Sequence, residues 1–178
     1  MKKNQKKHVL ILDTSAFIEG ITPSQLDSPS FTSPLVIEEL RKKGLPVQRI
    51  IVSQESGKLE IIRPSKASLD YVQNVCQELG EYVLSKTDKE LIALALELQK
   101  ESELPLIISD DFSVQNVSKY LQIDYISLAN RGIRKLLGWT LYCPACYRRY
   151  RQDDLSICAV CGTPLKRKPS KQRHKVKE

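Results

Sequence analysis

Nowhere in these 178 residues does an apolar run approach the roughly 18–20 needed to cross a bilayer as a helix. The N-terminus carries Lys2, Lys3, Lys6 and Lys7, but the apolar stretch behind it, Val9 to Leu12, is too short for the hydrophobic region of an export signal. A soluble, cytoplasmic chain without membrane contacts is therefore expected. Internal repeats and low-complexity segments are absent as well. Without export there is no oxidising compartment, so the five cysteines are not read as a disulfide framework.

Four of them form two pairs, Cys143-Pro-Ala-Cys146 and Cys158-Ala-Val-Cys161, separated by the eleven residues 147–157. Thiolates spaced in this way can turn back on one tetrahedral zinc ion, and metal binding then supplies the folding free energy that a tiny core cannot. Pro144 and Gly162 suit the turns of two such knuckles. A thioredoxin-like redox site would need one pair beside a βαβ unit, not two. Cys76 stands alone in a helical pattern and reads as a small buried apolar residue.

Charge is placed unevenly. Residues 140–178 hold ten Lys/Arg against three Asp/Glu, or +7, which equals the formal charge of the whole chain. Residues 1–8 add four Lys and no acid, so residues 9–139 carry fourteen basic and eighteen acidic residues, or −4. Four zinc-bound thiolates would lower the C-terminal value by about two and leave it positive. A basic segment of this kind is the footprint of a nucleic-acid contact, with Arg148, Arg149, Arg151, Lys166, Arg167 and Lys168 as its candidate residues. A solvated, solubilising tail is the competing reading.

The periodicity alternates between strand and helix. Residues 8–13 read as a buried strand closed by Asp13, and Thr14 or Ser15 can cap the helix that follows. Residues 22–34, with three prolines, read as a loop. Helices are expected over 35–43, 66–81, about 85–101, 113–121 and 129–137, with strands at 57–62, 105–109 and 123–126. Residues 47–56 suit a helix or an irregular segment, and Thr87 with Glu90 suits a capping box. This order implies an α/β fold with a parallel sheet and helices on both faces. The expected division is a basic extension (1–8), an α/β domain (9–138), a zinc ribbon (139–165) and a basic disordered tail (166–178).

In an open parallel sheet, ligands bind outside the carboxyl ends of the strands, where Asp13, Asp110 and Asp111 fall. Asp88 opens a long helix, and Glu39 lies mid-helix beside Glu38. Each alone suits a cap or a solvated surface. Brought together, such carboxylates repel unless a hard divalent cation neutralises them, and one or two such ions can serve phosphodiester hydrolysis.

Four segments carry a resemblance: Leu-Asp-Thr-Ser-Ala-Phe (12–17), Val-Ile-Glu-Glu-Leu (36–40), Ser-Lys-Thr-Asp-Lys-Glu-Leu (85–91) and Ile-Ser-Asp-Asp-Phe-Ser-Val-Gln-Asn (108–116). They occur in the order of the PIN-domain nuclease motifs. A PIN domain followed at once by a zinc ribbon and a basic tail resembles the archaeal Nob-type endonucleases that mature small-subunit rRNA, over about residues 9–165. The resemblance implies that Asp13, Glu39, Asp88 and one of Asp110 or Asp111 hold Mg²⁺ or Mn²⁺, with Thr14 and Ser15 supporting the first acid. It also implies structural Zn²⁺ on Cys143, Cys146, Cys158 and Cys161. The implied substrate is precursor small-subunit rRNA in a pre-ribosomal particle, with assembly factors as further partners.

Two other functions compete: a non-catalytic RNA-binding assembly factor, and a VapC-type PIN toxin ribonuclease. Asn116 and Ser113 lie one turn apart near the fourth acid, where Asn116 reads as a helix-surface amide. Tyr142, Tyr147 and Tyr150 interleave with arginines, either to stack bases or to pack the ribbon, and Trp139 reads as junction packing.

Overall fold

The computed structural model describes residues 8–44, 47–101, 103–128, 138–150 and 155–170. Among them, five strands form one parallel sheet: β1 (His8–Leu12), β2 (Ser30–Thr32), β3 (Leu59–Ile61), β4 (Leu104–Ile108) and β5 (Asp124–Ile126), in the order β3-β2-β1-β4-β5. Successive side chains of a strand point to opposite faces. Ile11 and Leu12 are both buried, as are Ile107 and Ile108, so both faces of the central strands are covered. The cover comes from α1 (Thr14–Ile18), α2 (Pro34–Lys42), α3 (Gln48–Glu55), α4 (Lys66–Leu79), α5 (Lys86–Lys100) and α6 (Phe112–Tyr120). The expected parallel sheet, covered on both faces, is present.

Local chemistry fixes the helix starts. Ser33 accepts the Val36 N–H at 3.4 Å and Pro34 opens α2. α5 departs from expectation. Ser85, not Thr87, is its cap, and Ser85 and Asp88 form the capping box at 3.1 and 2.9 Å. Glu90 is buried and serves a different helix: its Oε2 accepts the N–H of Leu35 at 3.1 Å, in the first turn of α2.

Two further expectations are corrected. Residues 30–32 are a strand within the stretch read as loop. Its two buried side chains, Ser30 and Thr32, are hydroxylic, so no apolar signal marks it. The Thr32 hydroxyl is satisfied by donating to the Leu12 carbonyl at 2.7 Å. Nor is the segment from Lys166 a disordered tail throughout. Lys166–Ser170 form β8, antiparallel to β6 (Gly138–Tyr142), which also pairs with β7 (Arg149–Tyr150). A cationic strand of this kind hides from composition because its pairing partner, β6, lies upstream of the first cysteine pair. The helix expected at 129–137, the basic extension at 1–7, Arg151 and residues 171–178 lie outside the described residues.

Candidate active site and cysteine cluster

The chain runs from β1 to β2 and β3 on one side and places β4 and β5 on the other, which opens a crevice at the carboxyl ends of β1 and β4. Asp13 leaves β1 at this point and caps α1. Its Oδ1 accepts the Thr14 N–H at 2.6 Å, and its Oδ2 accepts the hydroxyls of Ser109 at 2.7 Å and Ser15 at 3.1 Å. Asp111 caps α6, accepting the N–H groups of Ser113 and Val114 at 2.6 and 3.3 Å, while its own N–H donates to Ser109 at 3.2 Å. Ser109 thus joins two acids. Sequence reasoning missed it, although its place at the end of β4 between an apolar run and Asp110 was a usable signal.

Glu39 approaches from α2, its Oε2 accepting the Thr14 hydroxyl at 3.2 Å and its Oε1 lying 2.7 Å from Lys43 Nζ. With Asp88 at the start of α5, these acids line one cleft of about 710 Å³, together with Glu38, Lys42 and Lys43. Ile18, Leu35 and Val83 add apolar walls. Asp110 is not among the lining residues. Its Oδ1 instead accepts the Ser127 hydroxyl and the Leu128 N–H, at 2.5 and 2.9 Å, so of the doublet it is Asp111 that faces the cleft.

Electrostatics tie the acids together. Burial raises the Asp13 pKa above its ordinary 3.8 and the Asp88 charge adds to the rise, against the hydrogen bonds from Ser109, Thr14 and Ser15. Asp88 is raised too, first by burial, with the charges of Asp111 and Glu39 pushing the same way against its Ser85 hydrogen bonds. Carboxylates that oppose one another's ionisation across a shared cleft, with oxygen donors and hydroxyl support, suit hard divalent cations.

The cysteines converge more tightly. Their four sulfurs lie within 4.8 Å of one another, with Cys143 Sγ 3.4 Å from Cys161 Sγ and Cys146 Sγ 3.6 Å from Cys158 Sγ. Four Zn–S bonds of about 2.3 Å in a tetrahedron require sulfur separations of about 3.8 Å, so the donor set fits zinc. The hydrogen bond with the Tyr150 hydroxyl, at 3.0 Å, is the main cause bringing the Cys158 thiol down to about 6. Tyr150 therefore supports the knuckle. The two knuckles share one turn: the N–H of Tyr147 donates to the Cys143 carbonyl and that of Gly162 to the Cys158 carbonyl, both at 2.9 Å. Both residues have positive φ, 59° and 69°, a conformation glycine tolerates and tyrosine does not favour.

Residues 10–98 match the family described as the PIN domain of ribonuclease. The endoribonuclease Nob1 of Pyrococcus abyssi is 37% identical over 92% of this chain and 96% of its own length. The chain belongs to the Nob1 family of PIN-domain endoribonucleases. The Nob1 of Methanocaldococcus jannaschii is 35% identical over 95% of this chain and 82% of its own length. A ribonuclease VapC1 from Thermoplasma acidophilum is 27% identical over 96% of this chain and 83% of that one, so a long C-terminal region does not by itself separate Nob1 proteins from those bearing the VapC name. The PIN nucleases to which the Nob1 family belongs depend on divalent metal, which the acidic cleft can accommodate.

Some Nob1 candidates change role on the structure. Asn116 is buried, not a surface amide, and donates to Glu81 Oε1 at 2.8 Å. Arg167 turns its guanidinium onto the Gly80 carbonyl and Glu81 instead of into solvent. Lys168 Nζ sits 4.5 Å from the centre of the Tyr142 ring. Arg148, Arg149 and Lys166 are exposed, and Tyr147 is 73% exposed.

Proposed function

We propose that this endoribonuclease cuts precursor small-subunit rRNA to produce the mature 3′ end of 16S rRNA, in the cytoplasm and on a pre-ribosomal particle. The observation that carries this reading is the meeting of four acids from four separate segments in one cleft, in a chain that aligns nearly end to end with proteins named Nob1. Acids so coupled disfavour the reading of a non-catalytic assembly factor.

Asp13, Glu39, Asp88 and Asp111 would hold Mg²⁺ or Mn²⁺, which when bound lowers the pKa of water and neutralises charge on a phosphodiester. The protein's part is to orient the acids. Ser109, Thr14 and Ser15 direct hydrogens at the carboxylates, so their lone pairs are aligned before any substrate arrives. Lys42 and Lys43 offset the acidic field that would otherwise repel a phosphate backbone. The apolar walls at Ile18, Leu35 and Val83 suit unstacked bases better than a closed duplex.

Zn²⁺ on the four cysteines would hold the ribbon, whose exposed Tyr147, Arg148, Arg149 and Lys166 suit contacts to bases and phosphates. Assembly factors on the same particle would be further partners.

The test is to incubate the protein with Mn²⁺ and an RNA spanning the 3′ end of small-subunit rRNA, then map the products. One cut at the mature end, lost in Asp13→Asn and in EDTA, is expected. Cleavage of unrelated RNAs with equal efficiency would favour a VapC-like activity instead.

A further inference from the structure

Residues 80–85, between α4 and α5, form part of the cleft wall. Val83 and Ser85 line it, and Ser85 caps α5 so as to seat Asp88. The other end of this segment is held by the ribbon. Gly80 closes α4 with φ of 69°, and Arg167 on β8 donates through Nη2 to its carbonyl and approaches Glu81 Oε2 at 3.5 Å. A cation at the C-terminus of a helix also suits the helix dipole.

Glu81 is only 1% exposed. Its other oxygen receives the Asn116 amide at 2.8 Å, from α6, the helix that Asp111 caps. One buried carboxylate therefore joins the segment leading to Asp88 with the helix bearing Asp111, and a ribbon guanidinium holds it from outside. Truncating Arg167 takes away the guanidinium that ties Gly80 and Glu81 to β8, so the segment they begin is free to shift. β8 is in turn paired along its length with β6, which runs directly into Cys143.

We propose that Arg167 is a positioning residue: by holding Gly80 and Glu81 it sets the cleft wall that carries Asp88 and Asp111, so the ribbon fixes the geometry of a site it does not line. This rests on the cleft being the nuclease site. An arginine in a basic strand could instead serve as a phosphate contact, and kinetics separate the two roles.

The experiment uses the full chain and a short single-stranded RNA that reaches the cleft alone. Arg167→Ala should lower kcat about tenfold with KM little changed, the size expected of a small misplacement near the chemistry. Glu81→Gln should match it, the double variant should lose no more than either single one, and Arg167→Lys should recover part of the rate. A rise in KM alone, or losses that multiply in the double variant, would overturn the proposal in favour of an RNA contact. Hydrogen exchange of the RNA-free protein gives a second readout. Amides of residues 80–85 should exchange faster in Arg167→Ala, and in wild type after zinc chelation, while strands β1 and β4 stay protected. Unchanged exchange at 80–85 overturns the coupling. A wild type that fails to cleave overturns the nuclease reading and leaves the exchange result to judge the coupling.

Discussion

The Ser109 hydroxyl donates to Asp13 Oδ2 at 2.7 Å across the gap between β4 and β1, while its oxygen accepts the N–H of Asp111 at 3.2 Å. Ser109→Ala removes both at a site that is 1% exposed. The expected cost is about 1 kcal/mol of stability by the usual worth of such bonds. A loss of about tenfold or more in cleavage rate should accompany it, as orientation of Asp13 is lost. Urea unfolding and single-turnover cleavage measure the two, and a normal rate would remove Ser109 from the machinery.

Three of the cleft acids also hold up helices. Asp13 and Asp111 are caps, and Asp88 completes a capping box. Asn caps helices about as well as Asp, whereas Ala forfeits about 1 kcal/mol. Asp→Asn at 13, 88 or 111 should therefore abolish cleavage with the melting temperature kept, and Asp→Ala should lower both. Paired thermal melts and activity assays distinguish the two series.

A dependence on pH follows from the raised pKa values of Asp13 and Asp88. Above the folded-state pKa both folded and unfolded chains have lost the proton, and the full cost of burying the charge is present. As pH falls from there toward the ordinary 3.8, the folded state takes up protons first, so these two groups favour folding more at lower pH. Divalent cations relieve the same cost by another route. The rise in melting temperature on adding Mn²⁺ should thus be larger at pH 8 than at pH 5, and Asp88→Asn should shrink that difference. An equal rise at both values would contradict the assignment.

Much of this site was legible from the chain. Asp13, Glu39 and Asp88 follow from short motifs in order, because each sits at a strand end or on a helix whose local pattern is strong. The Asp110 and Asp111 doublet was not resolvable, since the choice depends on Ser127 and Leu128, which lie beyond the next helix and strand. β2 was invisible because its buried residues are hydroxylic, and the roles of Glu90, Asn116 and Glu81 because each meets a partner far away in sequence. Local periodicity reports which face of an element is apolar. It does not report which buried polar group answers another.

Tyr147 occupies the turn position that Gly162 holds in the second knuckle, with positive φ and 73% of its surface exposed. A tyrosine held there costs on the order of 1 kcal/mol, and such strain is a mark of functional positions. Tyr147→Gly should leave the zinc-bound ribbon as stable or more so, and should weaken binding to single-stranded RNA by the loss of about one stacked base, or 1–3 kcal/mol. Zinc retention and filter-binding titrations check the two halves. RNA affinity equal to wild type would leave the residue with no role in docking.

Removing the metal should affect the two sheets unequally. Cys143→Ser or strong chelation should unfold the ribbon, which depends on its four sulfurs, while the parallel sheet persists on its own apolar core. Circular dichroism with limited proteolysis would register this, and a single cooperative loss of both would contradict it.

The Glu90 clamp on Leu35 spans 55 residues of sequence, and the Ser109 bond to Asp13 spans 96. Contacts of such separation carry loop-closure entropy that only the finished fold repays, so they form late. A half-folded chain therefore has the acids but not the cleft that gathers them.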